Sequence, residues 1–171
     1  VTWALISCSP SNYTYIGPMR WLLEKLLTVV ARQVRALLFN PVDLGVIAVV
    51  EQAGKVVLVR HSYKSGWLLP GGAVERNEPP GETILRELRE EIGLTASEPP
   101  ELYGVYTRRG VWVTNYVLLY RVRGAQFTFK PSWEIRELRL VDPENPPLGT
   151  GRAPWRRFQE IYSGAAQSPN W

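Results

Sequence analysis

Cysteine, histidine and methionine each occur once in the 171 residues, as Cys8, His61 and Met19. One cysteine excludes an intrachain disulfide, so a cytoplasmic setting is the expectation. No apolar run approaches the roughly 18 residues needed to span a bilayer. No dense Lys/Arg block stands out either, and no specific nucleic-acid partner is expected. Val1 to Pro18 carries no charge at all. Within it Leu5-Ile6-Ser7-Cys8 is similar to a lipoprotein cleavage site, but the positive n-region is missing and the apolar stretch is short. Residues 1–18 therefore read as a disordered or non-native leader, with Met19 a candidate start.

What remains is an ordinary globular balance, 45% hydrophobic and 21% charged, which excludes a disordered chain and favours one domain with one core. The formal net charge of +4 suits an anionic ligand such as a phosphate compound. From Met19 to Phe39, Leu23, Leu27, Val30, Val34 and Leu37 recur at spacings of four and three, predicting an amphipathic helix that Asn40-Pro41 stops. Its stripe can pack on its own domain, form a homodimer contact, or, given its basic flank, lie on a membrane surface.

Valine-rich stretches predict strands at Gly45–Glu51 and Lys55–Arg60 around a turn at Gln52-Ala53-Gly54. A second pair, Leu102–Arg108 and Val111–Val122, is expected across Arg109-Gly110, and a short strand at Ile135–Val141. Helical character appears at Glu82–Ile92 and near Ala153–Tyr162. Asp142–Pro147 reads as a loop and Ser163–Trp171 as a frayed tail. Strands and helices mixed without strict alternation imply an α/β (α+β) domain over residues 41–163, a mixed sheet flanked by helices, with residues 19–40 before it and 164–171 after it.

One segment carries chemistry. Gly71-Gly72, after Trp67-Leu68-Leu69-Pro70, must be a tight turn bringing bare backbone near a ligand. On the helix that follows, Glu87, Glu90 and Glu91 fall within about a 100° arc, while Ile84, Leu85, Leu88 and Ile92 face the sheet. Like charges so placed repel. A hard divalent cation removes the penalty, and oxygen ligands suit Mg²⁺ or Mn²⁺. Arg86 can pair with Glu90 or Glu82. For three glutamates alone, a solvated acidic face salted by Arg86 and Arg89 is the plainer account.

The wider spacing overturns that account. Gly72, Glu78, Arg86-Glu87-Leu88, Glu90-Glu91 and Gly93-Leu94 stand at the separations of the Nudix box, a loop–helix–loop motif, and such a match arises by chance in ~10⁻⁹ of windows. The segment resembles that hydrolase superfamily (MutT-like) over Gly72 to Leu94, and the strand pattern extends the likeness loosely from Leu44 to Val141. The resemblance implies a Nudix-type α/β/α sandwich and Mg²⁺- or Mn²⁺-dependent hydrolysis of a diphosphate bond in a nucleoside diphosphate linked to another moiety. It implies metal ligation by Glu87, Glu90, Glu91 and the Gly72 carbonyl, with Arg86 orienting a helix glutamate and Glu78 its partner across the loop. An alternative is a silent Nudix domain serving as a nucleotide sensor or interaction module. Such domains typically lack box glutamates, and all are present here. The isopentenyl diphosphate isomerase branch uses a cysteine, and Cys8 lies far from the box.

The general base stays open between a box glutamate, Glu87 or Glu90, and a later acidic residue. Glu134 is the preferred later candidate beside Glu137, with surface pairing to Arg136 and Arg139 the plainer role for both. Arg60, Lys64, Arg108 and Arg109 are candidates to meet phosphates. Trp112, Trp67 and Tyr116 are candidates to stack on a base, against core packing. His61 ends a strand near the glycine loop, where a structural or substrate-contact role fits better than catalysis. No substrate-specific pattern identifies the group attached to the diphosphate.

Overall fold

The computed structural model describes residues 27, 29–31, 34, 42–109 and 114–171. The chain divides into two compact units, Val1–Phe39 and Asn40–Trp171. In the first, Leu27, Val29, Val30, Ala31 and Val34 are helical, at the centre of the predicted amphipathic helix. The rest of that helix, and the expected leader, lie outside the described residues. No helix among those described is long and apolar enough to cross a membrane.

The second unit follows the order β1 (Val42–Gln52), β2 (Lys55–His61), β3 (Gly71–Ala73), α1 (Pro80–Ile92), β4 (Leu94–Ala96), β5 (Glu101–Arg109), β6 (Thr114–Val122), β7 (Gln126–Phe127), β8 (Ile135–Val141) and α2 (Arg152–Tyr162). The main sheet runs β5-β6-β1-β2-β8, with β3 beside β1 and β4 with β7 apart. β1 and β6 are parallel and the other pairs antiparallel, so the sheet is mixed as expected.

Alternation along β1 and β2 divides the core. Val46, Ala48, Val50, Val57 and Val59 face α1, where Ile84, Leu88 and Ile92 cover them. Val49, Val56 and Leu58 face the other way, onto Trp67, Tyr106, Leu119 and Phe158 of α2. Two-residue periodicity on strands meeting a 3.6-residue stripe on each helix produces the α/β/α sandwich.

β1 and β2 touch only at their hairpin end, Glu51 opposite Val56 and Gln52 opposite Lys55. Beyond it they part, and the segment before the box threads the gap. Val59 and Leu68 exchange backbone hydrogen bonds, N–H to C=O at 2.8 and 2.9 Å, and Ala48 N–H donates to the Pro70 carbonyl at 2.9 Å. β3 then pairs with β1, Val46 opposite Gly72. Gly71 has φ 140, and a Cβ there would run into the Val46 carbonyl, so this position admits only glycine.

α1 begins two residues earlier than expected, with Pro80 in its first turn, where a missing N–H costs nothing. Gly93, at φ 70, caps its end, its N–H reaching the Arg89 and Leu88 carbonyls. The second sheet pair was predicted from Leu102 and Val111; β5 begins at Glu101, and β6 is described from Thr114.

Ser163–Trp171 does not fray. Thr107 N–H donates to the Pro169 carbonyl at 2.8 Å and Trp171 N–H to the Thr107 carbonyl at 3.0 Å, lending the edge strand β5 a short extra partner. Edge strands carry unpaired backbone groups, and this segment satisfies some of them. Beneath it the fully buried Arg157 donates to Glu160 at 2.6 Å, with Tyr106 and Trp171 on its faces at 3.9 and 5.4 Å. The polar composition of the segment hid this docking.

Candidate active site

α1 presents its carboxylates along the open rim of the sandwich, and Arg86 organises two of them. Its Nε and one terminal nitrogen donate to both oxygens of Glu78, at 2.8 and 3.0 Å. The other terminal nitrogen donates to Glu87 at 2.9 Å and Glu90 at 3.4 Å. Arg86 is thus fully engaged on the loop and its own helix, and the Glu82 pairing weighed from the sequence is not the one it makes. The fork on Glu78 holds that carboxyl down to about 2, chiefly through the Arg86 hydrogen bond.

Glu91 turns the other way. It accepts the Gly71 N–H at 2.8 Å and is 5% exposed. Burial pushes its carboxyl up to about 8, the Gly71 hydrogen bond opposing and the Glu87 and Glu134 charges adding. Glu87 is also raised by burial, Arg86 opposing. A Cβ at Gly72 would fall on the Glu87 carboxylate, so the second glycine leaves room for that side chain. The helix and glycine loop therefore close on each other through Glu87 and Glu91. The arrangement fits a divalent cation: hard oxygen donors, one of them buried and destabilised as an anion, with a single arginine shared among three carboxylates.

A neighbouring group was not legible in the sequence. β2 pairs with β8 so that His61 faces Ile135, after a register shift, and this sets Glu134 beside the imidazole. His61 Nε2 lies 3.8 Å from Glu91 and Nδ1 3.9 Å from Glu134. Tyr63 O–H donates to Glu134 at 2.7 Å. Burial, with that bond second, raises the phenol to about 12, so it remains the donor. Burial first, and Lys64 second, lower the His61 pKa, favouring a neutral ring.

A cleft of about 720 Å³ opens beside these groups, sharing His61, Tyr63 and Gly71 with them. Lys64, Arg108, Arg152 and Arg156 also line it, and Trp171 forms part of its wall. Arg152 and Arg156 belong to the first turns of α2, and neither they nor Trp171 drew notice in the sequence. Their only signal was two arginines four apart on a helix, which is common on solvated faces.

Other candidates fall elsewhere. Arg60 pairs with Glu137 at 3.0 Å and stacks on Trp67 at 4.5 Å, while Arg139 takes the other contact with that ring at 4.6 Å. Trp67 is 1% exposed and belongs to the core, the plainer of its two expected roles. Glu137 is occupied by Arg60 and Arg139. Tyr116 is partly exposed on β6. Trp112 lies outside the described residues, as does the Arg109 side chain.

Comparison with known proteins agrees with this architecture. A family model for the NUDIX domain matches residues 40–159. A MutT-like protein of Streptomyces ambofaciens is 40% identical over 117 residues, covering 67% of this chain and 68% of that protein. An RNA pyrophosphohydrolase of Halorhodospira halophila is 45% identical over 56 residues, covering 33% of this chain. The chain spans about a third of the length of the RNA pyrophosphohydrolases it matches. In fold, it superposes on a MutT NUDIX hydrolase from Burkholderia pseudomallei with a TM-score of 0.63 and 20% identity, over 70% of this chain and 98% of that one.

Proposed function

The chain belongs to the NUDIX family, and from that premise we propose that it is a metal-dependent pyrophosphohydrolase acting on a nucleoside diphosphate linked to a further moiety. The observation that carries the reading is the closure of α1 on the glycine loop, with Glu91 on the Gly71 N–H and Arg86 holding Glu78, Glu87 and Glu90. Glu90, Glu91 and the Gly72 carbonyl would hold Mg²⁺ or Mn²⁺. Such an ion neutralises the diphosphate and eases departure of the leaving phosphate oxygen.

The protein's own groups supply position and proton transfer. Arg86 donates to one oxygen of Glu87 and fixes the direction of the other. Burial raises the Glu87 pKa, which makes it a better acceptor for the attacking water's proton than an exposed glutamate. We therefore assign the general base to Glu87 rather than Glu134, whose carboxylate accepts the Tyr63 hydroxyl. Lys64, Arg108, Arg152 and Arg156 line the cleft where phosphates of the substrate would lie. Four cations there favour a substrate with more than the scissile diphosphate, such as a nucleoside triphosphate or dinucleoside polyphosphate, over a nucleotide sugar.

The test is a panel of those three substrate types with Mg²⁺ and Mn²⁺, products resolved by chromatography. Metal-dependent cleavage of a phosphoanhydride, abolished by EDTA and by Glu90→Gln or Glu91→Gln, is the expected result. Unimpaired activity of both variants in EDTA would sink the reading. Tight nucleotide binding with no turnover across the panel would replace it with a sensor domain.

A further inference from the structure

We infer that Trp171 is a specificity-determining residue: its indole stacks on a nucleobase of the substrate, while the cations beside it hold the phosphates. This rests on the hydrolase reading above and adds a recognition element remote from the box helix.

The cleft lies on the α2 side of the sheet. Ile47, which lines it, belongs with Val49 and Leu119 to the core beneath α2, on the opposite face from α1. At one end Gly71, His61 and Tyr63 join it to the box helix. At the other, Trp171 donates its N–H to the Thr107 carbonyl at 3.0 Å, next to Arg108 on the outer strand β5. β6 and β1 separate that strand from β3 and its Gly71. Three strand spacings make the span across the sheet about 14 Å.

The ring is held before any ligand arrives. The Arg157 guanidinium lies over it at 5.4 Å, and Tyr106 meets it at a steep angle with centroids 5.7 Å apart. Both of those partners are fully buried. Trp171 itself is only partly buried and borders on the cleft. An indole serving the core alone would be covered, as Trp67 is at 1% exposure. A side chain fixed in advance loses little entropy on stacking, so more of the contact emerges as affinity.

The cations supply the other half. Arg152 and Arg156 stand four residues apart on α2 and so share a face, with Arg108 and Lys64 completing the group. Among the described residues no carboxylate lines the cleft, and none of these four cations pairs with one. Unpaired cations attract any polyanion. An aromatic ring among them adds a preference that phosphate alone cannot meet, because only a ligand with a π face gains from it. A base on the indole and phosphates on the arginines describe a nucleotide anchored at the β5 edge, its phosphates running toward Gly71.

Calorimetry on the full chain in EDTA tests this with two probes of similar charge, a purine nucleoside triphosphate and inorganic tripolyphosphate. The nucleotide should bind about tenfold tighter. Trp171→Ala should abolish that difference while leaving tripolyphosphate binding within about twofold, and Trp171→Phe should restore most of it. In turnover with Mg²⁺, Trp171→Ala should raise KM for the nucleotide about tenfold and move kcat by less than about twofold. Equal binding of the two probes by the unaltered chain, or binding of neither, overturns the proposal whether or not a variant folds. An equal loss of both probes in Trp171→Ala also overturns it, marking the ring as a support for the cleft wall. Metal-dependent hydrolysis alongside any of these leaves the hydrolase reading intact. Base-dependent binding with no turnover in Mg²⁺ or Mn²⁺ overturns that reading alone.

Discussion

Two arginine–glutamate clusters occupy the two helices, and they differ in how their charges balance. On α2, Arg157 and Glu160 are 0% and 1% exposed, joined at 2.6 Å, with Tyr106 and Ser168 also donating to the carboxylate. One cation meets one anion inside a closed shell. On α1, Arg86 serves Glu78, Glu87 and Glu90 while Glu91 stays buried without a cation of its own. The closed cluster balances its charge, with only the Arg157 Nε left without a hydrogen-bond partner, and fastens Ser163–Trp171 to β5. The open one carries a surplus of negative charge that the fold itself does not neutralise. Buried charge is affordable when matched, and a mismatch marks a place for something exogenous.

Removing the surplus should have the largest effect. Glu90→Gln and Glu91→Gln are each expected to lower kcat by two or more orders of magnitude, on the order of 3 kcal/mol or more in barrier, with the fold retained by circular dichroism. Steady-state rates at saturating Mn²⁺ check this. Breaking the closed cluster should act on stability instead. Arg157→Met leaves the buried Glu160 carboxylate without a cation and should cost about 3–5 kcal/mol in urea unfolding. If kcat of the remaining folded enzyme also fell a hundredfold, the division between the clusters would be wrong.

Acidity separates them further. The Glu91 carboxyl is raised from 4.5 to about 8 in the fold, so its contribution is full below the unfolded value and is lost as pH rises through 8. Metal-free protein should therefore lose Tm progressively between about pH 5 and 8. Glu91→Gln or added Mn²⁺ should flatten that slope. Smaller still, Arg156→Gln should raise KM for a nucleoside triphosphate by roughly tenfold, about 1.4 kcal/mol, and for a nucleotide sugar far less. An equal rise for both would remove the polyphosphate preference. Least of all, Glu101→Gln, which breaks an exposed pair with Arg123, should change stability by under about 1 kcal/mol.

The open cluster was legible from residue order because it is local. Glycine spacing, three carboxylates at helical intervals and an apolar stripe all lie between Gly71 and Leu94, and the helix formed where that pattern put it. Strands with clear valine runs were legible for the same reason. β3, β4 and β7 were not, since two or three residues display no period. The approach of His61 to Glu134 depends on the β2–β8 register, a pairing between distant segments that no local pattern encodes. Docking of Ser163–Trp171 was hidden likewise: its backbone meets Thr107, and its ring contacts depend on Arg157 being buried, which charge alone argues against.

β1 also has a history to live through before it is a strand in a sheet. Its partner along most of its length is β6, Val42 opposite Thr114, so synthesis completes the entire box helix before β1 can be covered on that side. Pairing across so much chain is entropically slow, and until it happens the apolar Val46–Val50 edge of β1 stays open to other nascent copies. Folding yield, more than the stability of the finished protein, should respond to substitutions in β6. Dilution from urea at rising protein concentration would expose that sensitivity as lost soluble product.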